Sequence, residues 1–342
     1  MGEKQTPTTA GFSMPAEWEP HVGCLMAWPS RDELWQGRVD EAKAAYADVA
    51  RAIATSETLH MVCNPGEEQD VRNHCGTDVE VVSAPIDDSW MRDSGPVFVR
   101  NSAGELAIVN FEFNAWGERF HPYDSDNRVP VVIARHLGMP MFDAPLVLEG
   151  GSYFTDGEGT LITTEQCLLN PNRNPAMSKA DIEQALCEYL GVTTVVWLPW
   201  GHSLDVGPEA TDGHVDGIAQ YVAPGHIVLE VPESPESSEY VYGQANAKAL
   251  DAATDAAGRN FEVTRLDAGP GESPAYCNFY LSNASVIVPL VGDGRDAPAL
   301  ELIASLYPGR EVVGVPGEVL AFGGGGPHCI TQQIPAGQPA TR

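Results

Sequence analysis

Basic residues are scarce. Only 19 Lys and Arg stand against 48 Asp and Glu in 342 residues, a formal net charge of −29. A grip on phosphate backbones or anionic lipid needs clustered cations, so nucleic-acid and membrane-surface partners are excluded and a small cationic partner is favoured. Long apolar runs are missing too: no window approaches the roughly 18 uninterrupted apolar residues of a membrane span. The polar stretch Met1–Thr9 has no apolar signal segment, which leads to the expectation of a cytoplasmic protein. Cysteines number seven, at 24, 63, 75, 167, 187, 277 and 329, odd in count and never spaced C-x-x-C. That argues against a disulfide framework or zinc ribbon and for free thiols in a reducing compartment. H-E-x-x-H is also absent. His214, Asp216, Glu149 and Cys329 are all possible ligand types, yet without such spacing a metal site ranks well below a metal-free one.

What is present is a chain with 43% hydrophobic residues, enough for a large core. Strand-like runs at 22–29, 59–63, 79–84, 97–99 and 106–116 alternate with helical spacing at 41–55 and 128–137. A hairpin is expected where 145–154 and 160–164 flank Asp156-Gly157-Glu158-Gly159. A Ser178-capped helix ends at Gly191. Strands follow at 192–198, 215–222 and 226–231, then a helix from 238 to about 257. Strands at 261–266 and 284–290, a helix at 297–306, and strands at 312–315 and 319–322 complete the chain. Helices beginning near 41, 128, 179, 238 and 297 define five units in which strands outnumber helices. An α/β fold with five-fold pseudo-symmetry is expected, rather than a doubly wound sheet with one strand per helix.

Chemistry concentrates at a few strand ends and glycine-rich turns. Gly323-Gly324-Gly325-Gly326 precedes Pro327-His328-Cys329, and four glycines allow a backbone to come close to a ligand. His214 and Asp216, in Thr211-Asp212-Gly213-His214-Val215-Asp216-Gly217, are expected on one side of a strand by alternation. Asp93 sits beside Trp90 in the charged loop 86–96, and Glu149 precedes two glycines. Singly, a cysteine is a core hydrophobe, a histidine a satisfied polar group and a carboxylate a cap or surface charge. Together they supply a thiol, an imidazole and three acids. Carboxylates oppose an oxyanion but suit a planar cation, so the set points to a thiol attacking a guanidinium carbon rather than to acyl transfer.

Ordered motifs across nearly the whole chain carry a resemblance. They are Met14-Pro15-Ala16-Glu17-Trp18-Glu19-Pro20, Asp88 to Pro96, Asn114-Ala115-Trp116-Gly117, Leu148-Glu149-Gly150-Gly151, Cys167 to Pro175, Thr211 to Asp216 and Gly324 to Gln333. The chain resembles the agmatine deiminases of the peptidyl-arginine deiminase family, in the guanidino-modifying pentein superfamily. The resemblance implies a five-bladed α/β propeller of ββαβ units, formed by one catalytic domain over residues 1–342 with flexible tails at 1–10 and 336–342. It implies Cys329 as nucleophile, His214 as general acid and base, and Asp93 and Asp216 as guanidinium carboxylates, with Glu149 close to His214. Trp90, Trp116 and Gly324 are implied at the substrate. The implied reaction turns agmatine into N-carbamoylputrescine and ammonia, a step toward putrescine, without metal or cofactor; a homo-oligomer is allowed. Arg92 is read as the partner of an internal carboxylate. The short Asp267–Pro274 connection and Glu118-Arg119-Phe120-His121 depart from the family pattern. They keep open deimination or amidino transfer on another guanidine, and a silent guanidine-binding protein stands as the non-enzymatic alternative.

Overall fold

Local signals decide where helices start and stop. The computed structural model describes residues 5–203, 205–267, 269 and 275–341. In α1 (Val39–Ile53) the buried residues Ala42, Ala45, Tyr46, Val49, Ala50 and Ile53 recur at three- and four-residue spacing on one face. α2 (Val129–Leu137) carries Pro130 in its first turn and stops at Gly138, whose φ of 66° is left-handed. α3 (Lys179–Leu190) is set by a capping box between Ser178 and Asp181 and ends at Gly191. α4 (Glu239–Asp251) and α5 (Asp296–Leu306) complete the five helices expected from the sequence. A further helix, Glu68–Cys75, fills a connection read as short.

The strands among the described residues form five sheets that share one pattern, an antiparallel pair followed by a helix and a parallel strand. β1 (Phe12–Ser13) is a short edge strand, and β2 (His21–Ala27) pairs parallel with β3 (Thr58–Cys63) across α1. β3 in turn pairs parallel with β4 (Glu80–Ser83). β5 (Val97–Asn101) runs antiparallel to β6 (Glu105–Glu112), and β6 parallel to β7 (Met141–Val147) across α2. The pattern recurs in β8 (Tyr153–Thr155), β9 (Thr160–Thr164) and β10 (Thr194–Leu198) around α3. It recurs in β11 (Ala219–Ala223), β12 (His226–Glu230) and β13 (Glu262–Leu266) around α4. It appears again in β14 (Tyr280–Leu281), β15 (Ser285–Leu290) and β16 (Glu311–Pro316) around α5. β17 (Thr331–Pro335) then returns antiparallel onto β2, so the strand that follows Cys329 completes the first sheet. β18 (Gln338–Pro339) pairs with β6, and β1 with β5. The fold is mixed α/β.

Several expectations are corrected. Residues 319–322, read as a strand, lie in a short helix, Glu318–Phe322, because four apolar residues in a row satisfy either period. His214 and Asp216 do not alternate along a strand: Val215–Gly217 is a 3-10 turn, and β11 begins only at Ala219. The run 145–154 is interrupted after Glu149 by the turn Gly150–Ser152, which leaves β7 and β8 in different sheets. The helix expected to reach about 257 stops at Asp251. Near the two ends, the Thr8 hydroxyl donates to the Cys187 carbonyl and Ala340 N–H donates to Leu106 O. The Asp267–Pro274 connection, apart from Asp267 and Gly269, lies outside the described residues.

Candidate active site

Cys329 sits between the helix Glu318–Phe322 and β17, where β2 and the loop before β5 close around it. Its Sγ lies 3.3 Å from Asp216 Oδ2, and the Asn278 side-chain amide reaches it at 3.1 Å. The Cys329 carbonyl accepts from Arg92 N–H at 3.0 Å. Gly325 is the glycine this approach requires. A Cβ there would lie 2.9 Å from Cys329 Cβ and 2.6 Å from the Trp90 ring. Gly324 has a left-handed φ of 103° and lines the cavity above the thiol.

Gly151 plays the same part on the opposite side. Its N–H donates to Asp93 Oδ1 at 2.9 Å. A Cβ at 151 would stand 2.6 Å from His214 Nδ1, 2.7 Å from Asp216 Oδ2 and 3.0 Å from Asp93 Oδ1. Three predicted site residues therefore converge on one glycine edge. His214 Nδ1 is 3.9 Å from Asp93 Oδ1 and 4.0 Å from Asp216 Oδ1. Asp93 also accepts the Trp116 indole N–H at 3.0 Å, which explains why Trp116 is held at a left-handed φ of 56°. Trp90 is buried and stacks on Trp35, so it backs the site and does not line the cavity.

The predicted residues sort into two groups. His214, Asp216, Gly324 and Cys329 line a cavity of about 660 Å³ whose lining also includes the carboxylates of Asp205, Glu209 and Glu318. Asp93, Glu149, Trp90 and Trp116 are not among its lining residues, though Asp93 meets His214 and Asp216 at the Gly151 edge. Among the described residues no Lys or Arg lines this cavity.

Burial and charge set the protonation of the group. Burial raises the Cys329 thiol well above its usual range, and the Asp216 and Asp93 carboxylates raise it further. Burial opposes charge on His214, but Asp93, Cys167 and Asp216 outweigh it and hold the imidazole pKa well above normal. Asp93 is pushed upward by burial, only partly offset by His214. Asp216 goes the other way: burial is outweighed by the hydrogen bond and charge of His328, with His214 and Cys329 adding to them. The site is thus built with an ionised carboxylate, a charged imidazole and a protonated thiol.

Sequence reasoning missed the support behind these residues. His328 Nδ1 contacts Asp216 Oδ2 at 2.8 Å while its Nε2 faces Glu17 at 3.1 Å. Arg92, read as pairing internally, does pair with Glu17 at 2.9 Å and also reaches the Gln333 side chain at 2.9 Å. Burial works against the Glu17 charge, yet Arg92 and His328 lower its pKa to about 2. On the other flank Arg173 joins Glu149 at 2.5 Å to Asp212 at 2.7 Å, and Arg119 meets Asp212 at 2.5 Å. Asp212 stands two residues before His214, so the buried Arg173 and the half-buried Arg119 guanidiniums fix the turn that carries the imidazole. Glu17, His328 and Arg173 each lie in a quoted motif and Asn278 lies in none, and only the fold shows what they touch.

Glu149, Cys167 and His214 place one donor atom each within 4.8 Å of one another, a donor set that zinc accepts. The Arg173 guanidinium already answers the Glu149 charge. Glu149 Oε2 and His214 Nε2, both buried and without another partner, are left facing this small space.

A family model of the Porphyromonas-type peptidyl-arginine deiminases matches residues 13–335. A Legionella pneumophila protein provisionally named an agmatine deiminase is 41% identical, with 98% of each chain covered. The solved agmatine deiminase of Enterococcus faecalis superposes with a TM-score of 0.91 at 36% identity, covering 98% of both chains. DDAH of Pseudomonas aeruginosa shares the fold at a TM-score of 0.52 and 15% identity, covering 92% of this chain. The chain belongs to the family of Porphyromonas-type peptidyl-arginine deiminases.

Proposed function

We propose that this protein hydrolyses agmatine to N-carbamoylputrescine and ammonia through a thiouronium intermediate on Cys329. The observation that carries the reading is the convergence of two carboxylates and an imidazole on one glycine edge, with the Cys329 thiol 3.3 Å from one of those carboxylates, in a chain so similar to an Enterococcus faecalis agmatine deiminase. A guanidinium laid over Cys329 pairs with Asp93 and Asp216 and supplies the positive charge that the free site lacks beside the thiol. Entry of the cation therefore lowers the thiol pKa just where attack is needed.

The steps balance as follows. Sulfur bonds to the guanidinium carbon, and the C–N bond to one terminal nitrogen breaks. The S–H proton is given up to solvent as the guanidinium enters, and charged His214 donates its own proton to that nitrogen, which leaves as ammonia and leaves the imidazole neutral. His214 then takes a proton from water, the hydroxyl adds to the thiouronium carbon, and the C–S bond breaks to release the ureido product. Glu149, paired with Arg173 and with a donor atom within 4.8 Å of one on the imidazole, stands beside the ring.

The cavity lining chooses the substrate class. Asp205, Glu209 and Glu318 suit a terminal ammonium, and a carboxylate there would meet no Lys or Arg among the described lining residues. Agmatine is favoured over arginine on that ground. We also read the five sheets as the blades of a propeller around this site, and residues 1–342 as one cytoplasmic catalytic unit; the pairing of β17 with β2 and the seven free cysteines support this. A steady-state comparison of agmatine, arginine and simple guanidines tests the reading. Agmatine should have the highest kcat/KM, and a clear preference for arginine would overturn the substrate assignment.

A further inference from the structure

We propose that His60, Glu80 and His136 form a surface site for a zinc-type divalent cation, sharing no residue with the Cys329 cavity. His60 on β3 and Glu80 on β4 are direct register partners in the parallel pair, so their side chains leave the sheet on the same side. His136 comes from the last turn of α2, which belongs to the next unit. Three elements from two units thus bring two imidazoles and a carboxylate together.

The spacing fits a metal. His60 Nδ1 is 3.1 Å from Glu80 Oε2 and 3.3 Å from His136 Nε2, and His136 Nε2 is 3.9 Å from Glu80 Oε2. With zinc–nitrogen and zinc–oxygen bonds of about 2.0–2.2 Å, neighbouring donors of a tetrahedral site lie roughly 3.3–3.5 Å apart. The three atoms therefore outline one face of such a tetrahedron. Two ring nitrogens this close cannot both carry protons toward each other, whereas a cation satisfies both nitrogens and the carboxylate at once. The Glu80 and His136 side chains are 55% and 33% exposed, so an ion and a completing water have access. Gly23 keeps room behind the His60 ring, since a Cβ there would lie 3.3 Å from its Nε2. A bound ion would tie β4, the edge strand of the first sheet, to α2.

The test uses full-length protein stripped with EDTA and titrated with zinc against a chromophoric chelator. It compares wild type, His136→Ala, Glu80→Gln and Cys167→Ala, and follows thermal unfolding with and without zinc. One zinc equivalent should weaken by at least about tenfold in His136→Ala and Glu80→Gln, since even outer-shell changes cost about 10–100-fold. That equivalent should persist in Cys167→Ala, and zinc should raise the Tm of wild type but not of His136→Ala. Ammonia release from agmatine should be unchanged in the His136 and Glu80 variants. Equal zinc affinity in wild type and both surface variants overturns the proposal. So does loss of the zinc equivalent in Cys167→Ala alone, which would move the ion beside His214.

Discussion

His328→Gln is the substitution that most sharply probes how the site keeps a carboxylate charged. The imidazole spans Asp216 at 2.8 Å and Glu17 at 3.1 Å. Glutamine places its amide near the former Nε2 and keeps the Glu17 contact, while asparagine mimics Nδ1 and keeps the Asp216 contact. Asp216 owes its lowered pKa, against burial, first to His328. A hydrogen bond to a charged group is worth about 1.5–3 kcal/mol, and one pKa unit is about 1.4 kcal/mol. Losing it should therefore raise the Asp216 pKa. Asp216 must be ionised to hold a guanidinium, so the acid limb of kcat/KM should move to higher pH. kcat/KM is the quantity to follow because it reports the free enzyme. The sign for stability agrees: a depressed carboxylate contributes above its unfolded pKa and loses that contribution as pH falls through the folded value, so the variant forfeits stability at neutral pH. The assay is ammonia release across pH, with near-UV circular dichroism as a check on folding. His328→Asn should restore most of the wild-type profile. A folded His328→Gln enzyme with an unmoved acid limb would refute the role given to His328.

Three further substitutions test the surrounding structure. Glu17, lowered from 4.5 to about 2, should contribute about 3 kcal/mol at one pKa unit per 1.36 kcal/mol. That contribution is present above pH 4.5 and fades as pH drops toward 2, so urea unfolding of Glu17→Gln should differ from wild type at pH 7 and converge with it in acid. Gly151→Ala drives a methyl to within 2.6 Å of His214 Nδ1; steady-state kinetics should show kcat/KM reduced about 100-fold, and denaturant unfolding a stability loss of only about 1–3 kcal/mol. Arg173→Met strips the buried Glu149 and Asp212 of their shared cation, and denaturation should show a loss of about 3–5 kcal/mol.

The sequence made the five long helices legible because each advertises itself locally. Amphipathic spacing marks α1, a capping box opens α3, and left-handed glycines close α2 and α3. It misplaced Glu318–Phe322, where a short apolar run carries no period, and it assigned His214 and Asp216 to a strand that starts later. Those two residues still share a site, through the turn at Val215–Gly217 and the open edge of Gly151. Cys329, His214, Asp93 and Asp216 were readable because residue type and glycine context coincide. The Glu17–His328–Asp216 chain was not, since Glu17 and His328 are separated by 311 residues, and a buried histidine has no distinguishing sequence pattern. The pairing that unites them exists only once β17 lies on β2.

The central claim is a covalent bond from Cys329 to the guanidinium carbon. Quenching wild-type enzyme during turnover of agmatine and measuring the mass of the peptide that contains Cys329 tests it directly. The predicted result is an adduct with the mass of agmatine less ammonia, rising and then decaying as substrate is consumed, and absent from an inactive Cys329→Ala protein. Turnover with no adduct on that peptide, together with ammonia release by Cys329→Ala, would contradict it.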